Sequence, residues 1–479
     1  MDWVTCAYSA ACTGVAHQPS GHCLAHLPPD DLAAALAGMA PGRLLDLRGT
    51  VLTGDLLARV LEAAGHRPGR TRLDRARFTG DVRLAGVTFA GDVSLDGARF
   101  DRLASFFGAR FERNVSLAGA VFARELSFHG VRARGHVSLE RAVMSRDALF
   151  GQAVLERGLS CERARFDGYA TFDGARIGDG AAFRGARFGR TLSFRKVTGS
   201  AGFDGAHFAA DAYLSATGRL SVVRARADGL LDMTVAGCGV DLRRTEVAGA
   251  TTLRLTDSYA DLEGAVLRGP ATVTGRGRSR VTSLRGVDAP SLALSGLDLS
   301  ACRFAGLAHP SGVRVKDCTF ALTPRGLRVS VRRPMVRWFS RRSALADERT
   351  LLTGDPQDGP WATPGGLADL YAELRGRVDD RGTSDDFAFA ALEMRRQAAG
   401  RRWTIMPWLS ASSLASSLAS SLVLSLVSSR AASLVSSRRT GRFAAWFALL
   451  AAVTAGAVLW TSASHAERRA GTHVPSVHG

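Results

Sequence analysis

From Leu73 onward an apolar side chain returns at alternating steps of five and six residues: Phe78, Leu84, Phe89, Leu95, Phe100, Phe106, Phe111, Leu117, Phe122 and Phe128. Two positions before most of these stands a small residue: Ala76, Val82, Val87, Val93, Ala98, Ala104, Ala109, Val115 and Ala120. A helical hairpin or a propeller blade repeats only over tens of residues, so a period this short makes each unit one side of a stacked coil. At 479 residues the chain exceeds one ordinary core, and the repeat selects an elongated solenoid.

The same count predicts further inward positions at Ala133, Leu139, Met144, Phe150, Leu155, Cys161, Phe166, Phe172, Ile177, Phe183, Phe188 and Phe194. Between them lie mostly Arg, Asp, Glu, Gly and Ser, a solvated remainder. The register slips between Phe194 and Phe203, is degenerate over about 216–289, and returns as Leu294, Leu299, Phe304, Val315 and Phe320. Cys302 and Cys318 fall where a small inward residue belongs, which favours core packing over metal binding for them.

Residues 89–100, FAGDVSLDGARF, resemble the pentapeptide-repeat family in its form F-x-G-x-V-x-F-x-G-A-x-F, with Leu95 in the second slot. That resemblance implies a right-handed quadrilateral β-helix over 71–323, mainly β, four sides per coil, with the central Phe or Leu facing inward. A dozen coils stacked about 4.8 Å apart would form a rod about 55 to 60 Å long.

Before the coil, residues 1–29 hold Cys6, Cys12, Cys23 and His26, with His17 and His22 as spare imidazoles. Four soft ligands in so short a stretch suit a structural tetrahedral zinc ion, because a short loop without its own core can take its order from a metal. The spacing C-x5-C-x10-C-x2-H is looser than a paired knuckle, and a reduced N-terminus without metal is the competing reading. Residues 30–70 read as a small α/β cap: Asp30 or Asp31 as helix N-cap, an extended 44–47, and a helix near 54–64.

After the coil, Arg325, Arg328, Arg332, Arg333, Arg337, Arg341 and Arg342 alternate with apolar and aromatic residues, a basic surface suited to anionic lipid. A plain capping segment and a phosphate-tracking surface are the competing readings. Within 324–402, two helical patterns follow a linker, at 367–378 and 384–397. One carries the stripe Leu367, Leu370, Tyr371 and Leu374, and the other Phe387, Phe389, Leu392 and Met394. The segment ending Ala391-Leu-Glu-Met-Arg-Arg396 resembles the linker of actinobacterial membrane proteins that carry this repeat. Residues 403–442 are a Ser/Leu-rich low-complexity helix. Residues 443–461 read as a transmembrane helix, uncharged from Phe443 to Trp460, with Trp446 and Trp460 as interface anchors. Residues 462–479 read as a disordered tail. Arg430, Arg438, Arg439 and Arg442 precede the span, so the positive-inside rule places the bulk of the chain in the cytoplasm of a single-pass membrane protein.

The formal net charge is +18, and seven unevenly spaced cysteines form no disulfide framework. No G-x-S-x-G, H-E-x-x-H or P-loop occurs, so no enzyme is expected and no catalytic or cofactor-binding residue is assigned. The sequence thus points to a non-catalytic membrane-anchored scaffold presenting a rigid rod to a cytoplasmic protein, with membrane lipid as a second partner. The alternative is nucleic-acid or topoisomerase binding. The family resemblance implies that soluble DNA-mimicking members need an acidic rod, and this coil is mildly basic. A component of a channel or transporter assembly ranks third.

Overall fold

In the computed structural model, residues 3–323, 326–330, 335–339, 342–353 and 362–399 are described. The chain divides into two units, Met1–Pro324 with Arg341–Arg401, and Arg325–Ser340 with Arg402–Gly479. The described part of the second is a two-stranded antiparallel pair, Gly326–Ser330 with Met335–Phe339. The first unit contains the solenoid and its two caps.

Each side of a coil is a two-residue strand. β1 (Leu45–Asp46) and β2 (Val51–Leu52) are followed by helix α2 (Gly54–Ala63), then β3 (Thr71–Arg72), β4 (Arg77–Phe78), β5 (Val82–Arg83), β6 (Thr88–Phe89) and β7 (Val93–Ser94). β7 returns to the face of β3, in parallel register Thr71↔Val93, one coil and 22 residues later. Parallel rungs continue through Val115, Val137, Leu159 and Ala181 at the same interval. The result is a mainly β solenoid whose first face is a 12-stranded sheet. β1 and β2 already pair with β3 and β4, so the coil begins at Leu45 rather than at 71. The extended stretch at 44–47, read from sequence as part of a separate cap, is its first rung. Ahead of it, α1 (Pro29–Ala37) opens with Pro29 at N1, and Asp30 and Asp31 lie in its first turn rather than capping it.

Every counted position from Leu73 to Phe194 is buried, including Ala133 and Cys161. Identical neighbours one coil apart stack their rings: Phe78 on Phe100 at 4.5 Å, Phe100 on Phe122 at 4.6 Å, and Phe150 on Phe172 at 4.7 Å between centroids. The small residue two places earlier leaves room for these rings, so the rod is filled by packed side chains and has no lumen.

The coil changes cross-section where the sequence count slips. Through Arg176–Ile177 there are four faces, the fourth a five-stranded sheet that ends there. From Leu192–Val197 onward, the third and fourth sides merge into one strand of four to six residues, and the interval on the first face falls to 20, 19 and 20 residues (Ala181↔Ala201, Ala201↔Leu220, Leu220↔Val240). Losing a corner removes about two residues per coil. The quadrilateral expected throughout is therefore four-sided only in its first half, and the stretch 216–289 that looked degenerate is a regular three-sided coil. Its long strands bury alternate residues, Leu231, Met233 and Val235, above Thr251, Leu253 and Leu255.

Gly199 turns the corner at this transition. Its φ is +126°, and a Cβ there would lie 2.1 Å from the Ile177 carbonyl oxygen. A Gly199→Ala change is expected to cost at least about 3 kcal/mol, because neither the backbone angle nor the neighbouring main chain can yield. Gly202, with open space around it, is the matched control, and Gly202→Ala should unfold at nearly the wild-type denaturant concentration.

At the far end, α3 (Ala346–Thr353), α4 (Pro364–Leu374) and α5 (Arg381–Ala398) close the coil. The Thr363 hydroxyl caps α4 by accepting from Gly366 N at 3.2 Å, and the Asp380 carboxylate caps α5 by accepting from Thr383 N at 2.8 Å. Leu367, Leu370, Tyr371 and Leu374 are buried as the stripe required, and Phe387 packs edge-on against Phe320 of the coil, centroids 5.0 Å apart. Met394 is buried too, whereas Phe389 and Leu392 point outward. Arg342, grouped by sequence with the basic surface, is turned inward to an ion pair with Glu348. Arg325, Arg332, Arg333 and Arg341 lie outside the described residues, and of Arg328 and Arg337 only the strand backbone is described.

Candidate metal centre

Two short reversals and one tight turn carry the N-terminal ligands together. Thr5 and Val15 form an antiparallel bridge, and Cys6 N donates to Gly14 O at 2.7 Å, closing the loop that contains Cys12. A second bridge joins His17 to His22 around Gly21, whose φ of +70° suits the turn. The chain then enters a 3-10 turn, Leu24–His26, with Cys23 at its N-cap. Side chains three apart eclipse in a 3-10 turn, which is why C-x2-H places Cys23 and His26 on one side.

His26 Nδ1 lies 3.6 Å from Cys6 Sγ, 3.4 Å from Cys12 Sγ and 3.3 Å from Cys23 Sγ. Cys12 Sγ and Cys23 Sγ are 3.8 Å apart, and all four ligand atoms fall within 4.8 Å of one another. A tetrahedral zinc ion with ordinary bond lengths sets ligand edges of about 3.8 Å between two sulfurs and about 3.6 Å between sulfur and nitrogen. The spacing therefore matches a four-coordinate site, and the cysteines are all free. This Cys3His cluster could hold a metal ion. With all four positions filled by protein, such an ion would have no open place for a substrate.

The surroundings fit that use. Cys6 and Cys23 are buried, Cys12 and His26 half-buried, and the Tyr8 ring stacks on His26 at 4.1 Å. A Cβ on Gly14 would sit 2.6 Å from Cys23 Cβ, so only glycine lets this strand pass the ligand. Burial pushes the Cys6 thiol up, but the backbone amides around Cys23 and Tyr8 and the His26 ring outweigh it and bring Cys6 down to about 6. Burial and the neighbouring Cys12 sulfur push Cys23 up to about 12. Without a cation one thiolate is favoured and a second is opposed, since like charges cannot crowd together. A divalent ion at the centre would reverse that opposition.

His17 and His22, the spare imidazoles, stay outside the cluster. His22 meets Tyr8 edge-on, and burial lowers the His17 pKa against the pull of Asp46. Cys161 and Cys302 are wholly buried in the coil, where burial pushes their thiols far above the ordinary range, and they serve as packing residues. Cys318 is half-buried and donates to Lys316 O.

The rod's outer acids are mostly engaged. Asp101 bridges Arg77 and Arg99 at 2.7 Å each, Asp167 pairs with Arg165, and Asp228 holds both Arg226 and His207. On the first face, the Ser94 and Ser116 hydroxyls donate to Asp74 and Asp96 of the preceding coil. A groove of about 990 Å³ runs along that face beside Trp3, floored by small hydroxyls and lined by both charge signs. Phe443, Trp446 and Trp460 lie outside the described residues, and among those described no helix is long and apolar enough to cross a membrane.

Residues 73–120 and 84–132 match the family model described as pentapeptide repeats (9 copies). No curated protein matches the chain.

Proposed function

We propose that this pentapeptide-repeat chain is a non-catalytic scaffold, tethered to a membrane by 443–461 and presenting its rod to a protein partner in the cytoplasm. One observation carries the scaffold part: the interior is packed solid, and many outer acids are held in ion pairs or by serine hydroxyls along the rod, which favours a stiff, chemically quiet surface. Membrane tethering is supported by the sequence of the span and by the arginines before it. In the same reading the Cys3His cluster carries a structural zinc ion at the N-terminal end of the rod.

The experiment is carbonate extraction of membranes from cells expressing the full chain with a C-terminal topology reporter. The protein should stay in the pellet with the reporter outside the cell. Release by carbonate, or a reporter facing the cytoplasm, would overturn the tether and its orientation.

A further inference from the structure

We propose that the metal at Cys6, Cys12, Cys23 and His26 is a latch that holds residues 3–26 against the first coil, so that metal occupancy decides whether this end of the rod is covered. The inference rests on the zinc reading above and adds what the ion does.

The segment has little else to order it. Its own backbone is secured by two isolated bridges, one 3-10 turn and the Ala7 N–Gly21 O hydrogen bond, and its buried apolar residues are Cys6, Val15, Cys23 and Leu24. Segments with so small a core take their folding free energy from the metal. The four ligands come from three pieces of chain: Cys6 from the first bridge, Cys12 from the loop, Cys23 and His26 from the turn. One ion would tie all three at a single point, where otherwise the Ala7 N–Gly21 O hydrogen bond at 2.9 Å and the Tyr8 ring stacked on His26 connect them.

The grip on the coil lies inside the loop that the ion closes. Between Cys12 and Cys23, the Thr13 hydroxyl donates to Gly49 O at 2.9 Å and Val15 N donates to Arg48 O at 2.8 Å. A Cβ on Gly49 would lie 2.1 Å from Thr13 O, so the two chains pass at close contact. Trp3 Nε1 donates to Thr13 O at 3.0 Å, and the Trp3 ring lies 4.8 Å from the Arg48 guanidinium. Leu24 joins the core of the coil. These contacts stand on the shape that the ligands enforce. Releasing the ion frees the loop, and with it Thr13, Val15 and Trp3, while the rungs from β3 onward keep their own ladders and packed rings.

The test uses the full chain in detergent, with zinc content by elemental analysis and hydrogen exchange measured before and after chelation and after zinc is returned. The expected result is about one zinc per chain. On chelation, the Cys6 and Val15 amides should exchange at least about 100-fold faster while Val115 and Val137 in the coil are unchanged, and added zinc should restore protection. His26→Ala should copy the chelated state. His26→Cys, which keeps four ligands, should retain zinc and protection. Zinc bound but exchange unchanged on chelation would sink the latch and leave the zinc reading standing. A chain that takes up no zinc would sink both. Loss of protection along the coil as well would overturn the local role assigned to the ion.

Discussion

Phe122→Ala is expected to destabilise the coils around it by about 3–5 kcal/mol, the cost of an aromatic ring removed from a core that cannot collapse. Phe122 is fully buried, stacks on Phe100 at 4.6 Å, and stands directly below Met144 in the next rung. Its neighbours are held by ladders on every side, so the backbone has little freedom to fill the hole. In a repeat protein each coil touches only the coils beside it, so the damage should be local. Hydrogen exchange should speed up at Val121 and Ala123, whose amides donate to Ala98 and Phe100 of the previous coil. Phe107 provides the comparison: it is 54% exposed and its ring rests on His129, and Phe107→Ala should change stability by less than about 0.5 kcal/mol. Equal effects from the two substitutions would refute the inward–outward assignment.

A comparable loss is expected at the opposite end from Glu348→Ala. Glu348 is 1% exposed, pairs with the mostly buried Arg342, and accepts a hydrogen bond from the Tyr371 hydroxyl at 2.6 Å. That hydroxyl in turn accepts from Leu345 N at 2.7 Å. Removing the carboxylate strands a guanidinium and a phenol in the interior, and breaking one side of a buried pair costs about 3–5 kcal/mol. Next to it, Asp347 accepts from the amides of Phe304 and Ala305 in the last coil, which ties this network to the rod. Glu348→Ala should therefore speed exchange at Phe304 and Ala305 and lower the midpoint of denaturant unfolding. Glu348→Gln, which keeps the volume and an acceptor for Tyr371, should do less. A substitution that leaves the midpoint and both amides unchanged would show that the helices are held by apolar packing alone.

The inward residues from Leu73 to Phe194 could be read by counting, because a two-residue strand followed by a fixed corner gives burial a strict period. The count failed after Phe194 for a physical reason. A long strand also buries every second residue, so Leu214 and Ala216, or Met233 and Val235, look like weakened repeats when a corner has in fact been removed. Gly199 was the local signal, though a glycine at a corner is so common here that it did not stand out. The helical cap was legible in its stripe on α4 and only partly on α5, where Phe389 and Leu392 face outward although their composition suggested a buried face. Arg342 was hidden among neighbouring arginines, since charge runs give no hint of which member finds a buried carboxylate 6 residues on.

The N-terminal centre shows the same division. The residue types and their crowding were in the sequence, but C-x5-C-x10-C-x2-H does not say whether Cys6 and Cys12 reach the turn that carries Cys23 and His26. That depends on the bridges Thr5↔Val15 and His17↔His22 and on the close passage at Gly14. Periodicity alone determined that this chain is a packed β solenoid, because each short segment can bury its apolar side chain only against the next coil. Tertiary structure decided how many sides each coil has, which arginine is buried, and that four distant ligands meet. Those outcomes depend on how the chain folds back on itself, on side-chain contacts between coils, between reversals and across the cap, which spacing along the sequence does not specify.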